Sequence, residues 1–390
     1  MAPPASSGPE AVRSDPTLWR YGAVLALAHT LTALSWTGDR SLPDLLAAGR
    51  PAVCWPVFEA CAEARVLPAS VWAAFPWGYG LLGLVTAGLF ATRRTRAGMG
   101  LLAVLFGLGL AVMLQDYRLR LNQHLMHGVV TAAFLKLPDK RRTAQGLVLA
   151  FYVWAGTLKL NADWLTGAAL GPDGMPGIPA SVLPAACAYV VFLELVGVFG
   201  LLGPRWLQWA TLFQLAVFHA LSWGVVGFYY PLLMAGLLSI FPLSWASPDP
   251  SPRTWAPWGA VAAFSVLQLV PLAAPGDPAL TSQGRIVALH MFDAHVVCEA
   301  SMVVHGDDGR TTRVPIPTDR GPARMRCDPV VHWGVARHTC RQPGVHEVDL
   351  TLRSRRSTQT ELTTVIDLKG FCAANPTFDL FSNDWIHTDP

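Results

Sequence analysis

The run GLVLAFYVWAGTLKLNADWLTG, at residues 146–167, joins an apolar helix to a short cluster of polar and charged side chains. Residues 147–158 carry no charge, and Lys159 follows them directly. A lysine at the end of an apolar helix is costly unless its amine reaches the membrane surface, pairs with an acid or takes part in chemistry. Two interpretations follow. Lys159 is either a structural residue that reaches the membrane surface and pairs with Asp163, or a base kept neutral because burial disfavours the charged amine.

The composition of the chain is typical of a membrane protein. Its 390 residues are 52% hydrophobic and only 14% charged, whereas soluble domains average about 25% charged residues. Uncharged apolar runs of nearly membrane-spanning length recur between residues 18 and 274, which predicts a polytopic bundle. The formal net charge of +3 is too small to indicate a nucleic-acid partner, so the lipid bilayer is the predicted partner.

We predict a mainly α-helical fold, with a transmembrane bundle of about eight or nine helices followed by a small α+β extramembrane domain. Residues 1–17 are polar and rich in proline and are expected to be disordered. The bundle is expected to cover 18–274, with a folded outer loop at 37–69, and the C-terminal domain to cover 275–390. The predicted spans are 18–36, 70–92, 98–114, 122–135, 146–160, 180–203, 207–224, 226–244 and 255–274.

The distribution of basic residues predicts the orientation of this bundle. If the N-terminus is inside, the inner segments hold more lysines and arginines than the outer loops. Because basic residues concentrate on the cytoplasmic side, we expect a cytoplasmic N-terminus and an extracytoplasmic C-terminal domain. The expected location is the bacterial plasma membrane, with the first span acting as an uncleaved anchor.

The cysteines give an independent indication of the compartment. Of seven cysteines, only Cys187 falls in a predicted span. The other six lie in the expected outer loop and C-terminal domain, where an oxidising compartment would allow up to three disulfides. Their spacing leaves the pairing open and contains no CxxC pair that would suggest a zinc site. Free thiols are the alternative interpretation.

Five ionisable side chains fall in or next to predicted spans and are expected to face the interior of the bundle. They are Lys159, His124, His127, Glu194 and His219. His124 and His127 lie three residues apart, and therefore on one face of a helix. No metal site is predicted there, because no third ligand lies nearby in the sequence. A hydrogen-bonded core role and a role in proton transfer both stay open, whereas His29 is interpreted as a core histidine.

The C-terminal part of the chain changes to a strand period. Residues 296–304 and 311–316 flank an Asp308-Gly309 turn and predict a hairpin. A second hairpin is expected at 348–354 and 361–368. The intervening segment 328–341 predicts a helix with Asp328 as its cap and Pro329 at its first position.

The motif AGTLKLNADWLTG, at residues 155–167, resembles one in the vitamin K-dependent γ-carboxylase family, also called the HTTM (horizontally transferred transmembrane) family. Other features that resemble the family follow in its order over nearly the whole chain. They are Val53-Cys54-Trp55-Pro56, Asn122-Gln123-His124, Glu194, Phe218-His219 and Asp308-Gly309-Arg310-Thr311.

The resemblance implies a reaction in which a neutral lysine deprotonates a reduced vitamin K-type naphthoquinone. The quinol anion takes up oxygen, becomes a strong base and ends as an epoxide, and the base prepares a peptide glutamate for carboxylation. By this resemblance Lys159 is the catalytic base and His124 its hydrogen-bonding partner. The expected quinone-binding residues are Asn122, His127, Asp163, Trp164, Glu194 and His219. The resemblance also implies a disulfide between Cys54 and Cys340.

The chain also departs from the family's pattern. It is much shorter than the animal carboxylase, residues 289–293 differ, and no region matches those that dock a propeptide or hold a glutamate. Oxygenation of a quinol is therefore the better supported half of the reaction. Two other hypotheses stay open, a non-enzymatic membrane factor that binds or matures a secreted peptide, and a carrier for a small lipid.

Overall fold

A helical bundle followed by a small β-sheet domain makes up the computed structural model of the chain. The structure describes residues 8–388 apart from 39–40, 57, 59–60, 62, 64, 173, 246, 248–253, 292–293 and 318–322. The helices of the bundle are α1 Pro9–Ser14, α2 Pro16–Thr37, α3 Leu42–Leu46, α4 Ala69–Ala91, α5 Thr95–Gln115, α6 Asn122–Lys136, α7 Lys140–Leu158, α8 Ala162–Leu165, α9 Leu183–Leu195, α10 Arg205–Val226, α11 Tyr229–Leu238, α12 Ile240–Trp245 and α13 Ala256–Ala273.

Four of these helices are long and apolar enough to cross a membrane, namely α4, α5, α10 and α13. Shorter apolar helices accompany them at Leu183–Leu195 and Tyr229–Trp245. The structure thus agrees with integration into a membrane, while the total of eight or nine spans stays a prediction. Helix α7 contrasts with these four because Lys140, Arg141 and Arg142 begin it.

The N-terminal segment is ordered where the structure describes it, so the prediction of disorder for 1–17 is wrong from residue 8 onward. Helix α1 buries Val12 in the core of the bundle, and the Thr95 hydroxyl donates a hydrogen bond of 2.8 Å to the carbonyl of Pro9. The Asp15 side chain caps α2 and accepts hydrogen bonds of 2.8 and 2.9 Å from Arg141. The polar composition of this segment could not reveal these contacts, because their partners lie far away in the sequence. Residues 1–7 lie outside the described part.

Helices α2 and α4 approach each other closely because glycines line the contact. A Cβ placed on Gly83 would lie 2.5 Å from the Thr30 hydroxyl and 3.0 Å from the Ala26 carbonyl. The same hydroxyl donates to the Gly80 carbonyl at 3.0 Å. Small residues of this kind let two backbones come together and form hydrogen bonds between transmembrane helices.

The C-terminal domain contains one antiparallel sheet with the strand order β2-β1-β3-β4. Its strands are β1 Val296–Gly306, β2 Thr311–Ile316, β3 Val345–Arg356 and β4 Thr363–Leu368, and its helices are α14 Pro278–Thr281, α15 Ala323–Arg326, α16 Pro329–Cys340 and α17 Phe371–Ala374. Both predicted hairpins are confirmed, as β1–β2 and β3–β4. The central β1–β3 pair joins the two hairpins into one sheet.

Helix α16 covers one face of this sheet and begins where the sequence predicts. The Asp328 carboxylate accepts a hydrogen bond of 3.0 Å from the Val330 amide, and Pro329 occupies the first position. Trp333 packs in a core that includes Leu350 and Leu352. Burial raises the pKa of Asp328, because removing a carboxylate from water disfavours its charged form.

Three disulfides are present, and they overturn the predicted bridge between Cys54 and Cys340. Cys54 bonds to Cys61, Cys340 bonds to Cys372, and the third bridge joins Cys298 to Cys327. Six cysteines paired in this way favour an oxidising compartment for both regions.

The loop before α4 contacts the C-terminal domain through Val53, the residue before Cys54. Val53 is fully buried in the core of that domain, and a Cβ on Gly334 of α16 would lie 2.9 Å from the Val53 Cγ1 atom. Successive side chains of an extended segment point in opposite directions. Cys54 therefore lies in a separate small cluster with Ala52 and Cys61.

We expect peptide mapping without reduction to recover the Cys54–Cys61 peptide, and Cys54→Ser to leave the Cys340–Cys372 bridge intact. The reason is that each bridge closes within its own segment, with Cα atoms 5.5 Å apart in both. A peptide in which Cys54 is linked to Cys340 would contradict this pairing.

Candidate functional site

Lys159 is buried at the C-terminal end of α7 and forms an ion pair with Glu194 of α9. Its Nζ atom lies 2.6 Å from both carboxylate oxygens. The side chains are 3% and 0% exposed, respectively. The structural interpretation in which Lys159 pairs with Asp163 is therefore wrong, since the acid that it contacts lies 35 residues away in the sequence.

Glycine and a helix cap place the two members of this pair. A Cβ on Gly156 would lie 3.0 Å from the Glu194 Cβ and 2.9 Å from the Leu195 Cγ, so α7 and α9 meet closely only because this residue is glycine. After α7 the chain turns, and the Asn161 side chain caps α8 by accepting a hydrogen bond of 3.0 Å from the Trp164 amide. This cap sets Trp164 next to the amine.

Two aromatic rings cover the ammonium group of Lys159. Its Nζ atom lies 5.0 Å from the Trp164 ring centre and 5.8 Å from that of Phe218. The Trp164 indole is fixed in turn by a hydrogen bond of 3.0 Å to the Cys187 carbonyl. Aromatic faces attract a cation and exclude water, so the pair lies in an apolar shell rather than in a hydrated cleft.

A cavity of about 60 Å³ adjoins the pair. Its lining includes Lys159, Trp164, Phe218, Tyr230, Asn122 and Met291. Binding pockets for organic ligands commonly measure about 300–1,000 Å³, so this cavity admits a small molecule only after lining side chains move. The flexible thioether side chains of Met175 and Met291 are the lining groups best suited to such movement.

Asn122 lines this cavity and also binds the segment of chain that leads into the C-terminal sheet domain. Its side-chain carbonyl accepts a hydrogen bond of 2.8 Å from the His290 amide, and its amide group donates to the His290 carbonyl. Asn122 begins α6, so one residue both holds the segment 288–291 against the bundle and lines the cavity.

His219 lies beside the cavity without contacting Lys159 by a hydrogen bond. Its Nε2 atom lies 2.6 Å from the Tyr152 hydroxyl, and its ring centre lies 5.4 Å from that of Tyr230. Tyr230 lines the cavity, so His219 supports the wall that faces Lys159.

His124 and His127 line a different cavity from Lys159. His124 Nδ1 lies 2.9 Å from the Leu119 carbonyl, and His127 Nε2 lies 3.1 Å from the Leu25 carbonyl. His29, interpreted from the sequence as a core histidine, is in ring contact with His127, with centres 4.4 Å apart. Among the described residues, no group of three histidine, cysteine or acidic side chains could hold a metal ion.

Asp163 connects the site to the C-terminal domain. Its carboxylate accepts a hydrogen bond of 2.6 Å from Arg356 and another from the Thr358 hydroxyl. Arg356 also donates to Asp277, at 2.5 and 2.9 Å. Sequence analysis did not single out Arg356, because nothing local distinguishes an arginine at the end of a strand that contacts an acid 193 residues away.

Comparisons with protein-family models, with curated proteins and with solved structures find no match for this chain. Membership of the carboxylase family therefore stays a prediction from the motif at 155–167. A proposal for function must depend on that motif together with the arrangement of the side chains around Lys159.

We expect Arg356→Met to lower the free energy of unfolding by about 3 kcal/mol, because it leaves the buried Asp163 carboxylate without its cation. The thermal unfolding of the full chain in nanodiscs measures this loss. Arg353→Met is the matched control, since Arg353 lies on the same strand, is exposed and, among the described residues, donates one hydrogen bond, of 3.3 Å, to the Leu362 carbonyl. Equal effects of the two changes would contradict the role given to Arg356.

Proposed function

We propose that the protein is a membrane-bound, quinol-dependent oxygenase in which the Lys159–Glu194 pair removes a hydroxyl proton from the quinol. The observation that supports this most directly is the isolated pair at 2.6 Å, beside a cavity with aromatic walls. Buried ion pairs contribute little to stability compared with apolar residues of the same volume, so a pair kept in such a place suggests chemistry.

The pair offers a route to a neutral amine. Transfer of one proton from Lys159 to Glu194 converts two buried charges into a neutral amine and a neutral acid, which an apolar environment favours. The amine can then accept the proton of a hydroxyl group in the cavity. Lys159 acts as the base in this scheme, and Glu194 holds the proton that the amine has given up.

The residues around the cavity suit a flat, neutral ring. Trp164, Phe218 and Tyr230 supply aromatic faces, and Asn122 supplies a polar amide at the same cavity. The volume of about 60 Å³ is too small for a two-ring head group, so binding requires the displacement of Met175 or Met291. A reduced vitamin K-type naphthoquinone is the substrate that the resemblance implies.

The overall reaction consumes one quinol and one molecule of oxygen and yields the quinone epoxide and water. One oxygen atom enters the epoxide and the other leaves as water, so no further reductant is required. Carboxylation of a peptide glutamate, driven by the same base, follows from the resemblance alone. We therefore limit the proposal for this chain to the oxygenation step.

The membrane arrangement is part of the same proposal. The four long apolar helices are joined by α2, α6, α7, α9 and the α11–α12 segment to give nine spans. The N-terminus is then cytoplasmic and the disulfide-bonded domain extracytoplasmic, in the bacterial plasma membrane. A quinol dissolved in the bilayer would reach the cavity laterally, without crossing water.

The expected result for the full chain in nanodiscs, supplied with menaquinol and oxygen, is menaquinone epoxide detected by mass spectrometry. We expect Lys159→Ala and Glu194→Gln each to lower its rate by about 10²- to 10⁴-fold, the usual contribution of a general base. Lys136→Ala, at an exposed position on α6, is the control and should leave the rate unchanged.

A normal rate in Lys159→Ala, with the fold checked by thermal unfolding, would end the assignment of the base. If the unchanged chain forms no epoxide with any membrane quinol, the hypothesis of a non-enzymatic peptide-binding factor becomes the better account.

A further inference from the structure

A second cavity, of about 260 Å³, lies between α2, α4, α5 and α6. We call it the histidine cavity, because His29, His124 and His127 line it. None of its described lining residues is an acid, a lysine or an arginine. Leu110, which also lines it, is 42% exposed on the outer side of α5, so the cavity reaches the side of the bundle that faces lipid.

The hydrogen bonds of Tyr79 determine which nitrogen of His29 carries the proton. The Tyr79 hydroxyl donates to the Leu105 carbonyl at 3.1 Å and lies 2.6 Å from His29 Nδ1. A hydroxyl has only one proton, and the carbonyl can only accept, so the hydroxyl must accept from His29 Nδ1–H. In neutral His29, the Nε2 atom is then a bare acceptor.

That acceptor has no hydrogen-bond partner in the described part of the chain, although His29 is only 4% exposed. A buried polar atom without a partner costs about 1–3 kcal/mol. The cost is recovered if a bound molecule supplies a donor, so this acceptor suits a ligand that carries a hydroxyl or amine proton.

His127, like His29, has one ring nitrogen that donates within the protein and one that is left as an acceptor. Its Nε2 atom lies 3.1 Å from the Leu25 carbonyl, which can only accept, so Nε2 carries the proton and Nδ1 is the acceptor in the neutral ring. The rings of His29 and His127 are 4.4 Å apart between centres. Two imidazole acceptors are therefore close together at one cavity.

We propose that the histidine cavity binds the head group of a neutral phenolic lipid, whose hydroxyl donates a hydrogen bond to His29 Nε2 or His127 Nδ1. The other walls include the rings of Trp36, Tyr79 and Phe106, which suit an aromatic ring better than a flexible alcohol. The volume approaches the lower end of the usual range of about 300–1,000 Å³, enough for a ring head group whose tail stays in lipid.

Charge argues against an anionic lipid head group at this cavity, and hydrogen-bond polarity argues against a quinone. An anionic head group would place its oxygens against lone pairs, with no cation in the described lining to offset the repulsion. A quinone offers only acceptors, so it could pair with the Trp36 indole N–H but would leave the His29 and His127 acceptors without a donor. A quinol or related phenol is the membrane-soluble molecule that satisfies both the donor requirement and the aromatic walls.

The histidine cavity is distinct from the cavity beside Lys159. The first two residues of α6, Asn122 and Gln123, line the Lys159 cavity, whereas His124, His127 and Gly128 of the same helix line the histidine cavity. The inference thus goes beyond the proposed function, because it assigns a binding site and involves no reaction there.

The test measures anaerobic binding of tritium-labelled menaquinol-1 to the full chain in nanodiscs, in the Lys159→Ala background. We expect saturable binding of the labelled quinol. The dimethyl ether of the quinol should compete at least tenfold more weakly than unlabelled menaquinol-1, since the ether has the same ring but no donor. Farnesol tests a flexible lipid alcohol and should also compete at least tenfold more weakly. Equal competition by either compound would overturn the phenolic assignment.

Two variants test whether the ligand binds in the histidine cavity. His29→Leu removes one acceptor and should weaken binding about tenfold, the equivalent of about 1.4 kcal/mol. Gly128→Leu fills the cavity without changing an imidazole, since a Cβ there meets only Phe106 Cε2 at 3.6 Å, and it should remove one saturable class of binding sites, which is the one that His29→Leu weakens, while the chain stays folded. Unchanged binding in Gly128→Leu would overturn the site.

The outcomes separate this inference from the proposed function. Binding without any epoxide formation by the unchanged chain would support the histidine cavity and contradict the oxygenase. Epoxide formation by the unchanged chain, together with no binding in the Lys159→Ala background, would support the oxygenase and overturn the histidine cavity.

Discussion

The burial of one ion pair is the constraint on which the centre of the molecule depends. Lys159 and Glu194 are almost completely removed from water, and neither charge could stay there without the other. Gly156 lets α7 and α9 approach closely enough for this contact, and the Asn161 cap directs Trp164 over the amine. The apolar shell that makes the pair costly to bury is also what would allow a lysine to act as a neutral base.

The C-terminal sheet domain is held to this centre at several points. Arg356 links the end of β3 to Asp163, which lies next to Trp164 in α8, and Asn122 holds the backbone of His290 at the cavity. Val53, in the loop before α4, lies in the core beneath α16. The sheet domain therefore contacts both the loop before α4 and the Lys159 site. A displacement of the domain would move residues that line the cavity.

Signals that lie within a few residues predicted the fold well. Asp308-Gly309 gave the first hairpin, and Asp328-Pro329 gave the start of α16, because turns and caps depend on neighbouring residues. The cost of burying an amine likewise singled out Lys159. Its partner could not be predicted, because Asp163 is nearer in sequence whereas the packing of Gly156 brings in Glu194. The pairing of Cys54 and the separation of His124 from Lys159 also depend on which way side chains point after packing, which spacing does not reveal.

The most direct test of the central claim is a double-mutant cycle on the free energy of unfolding, with Lys159→Met, Glu194→Met and the double variant in nanodiscs. If the two side chains form one buried pair, each single change strands a charge and costs about 3–5 kcal/mol. The double variant should then be more stable than the sum of the single changes predicts by at least about 2 kcal/mol. Additive effects, within about 0.5 kcal/mol, would show that the two residues act independently and would contradict the account.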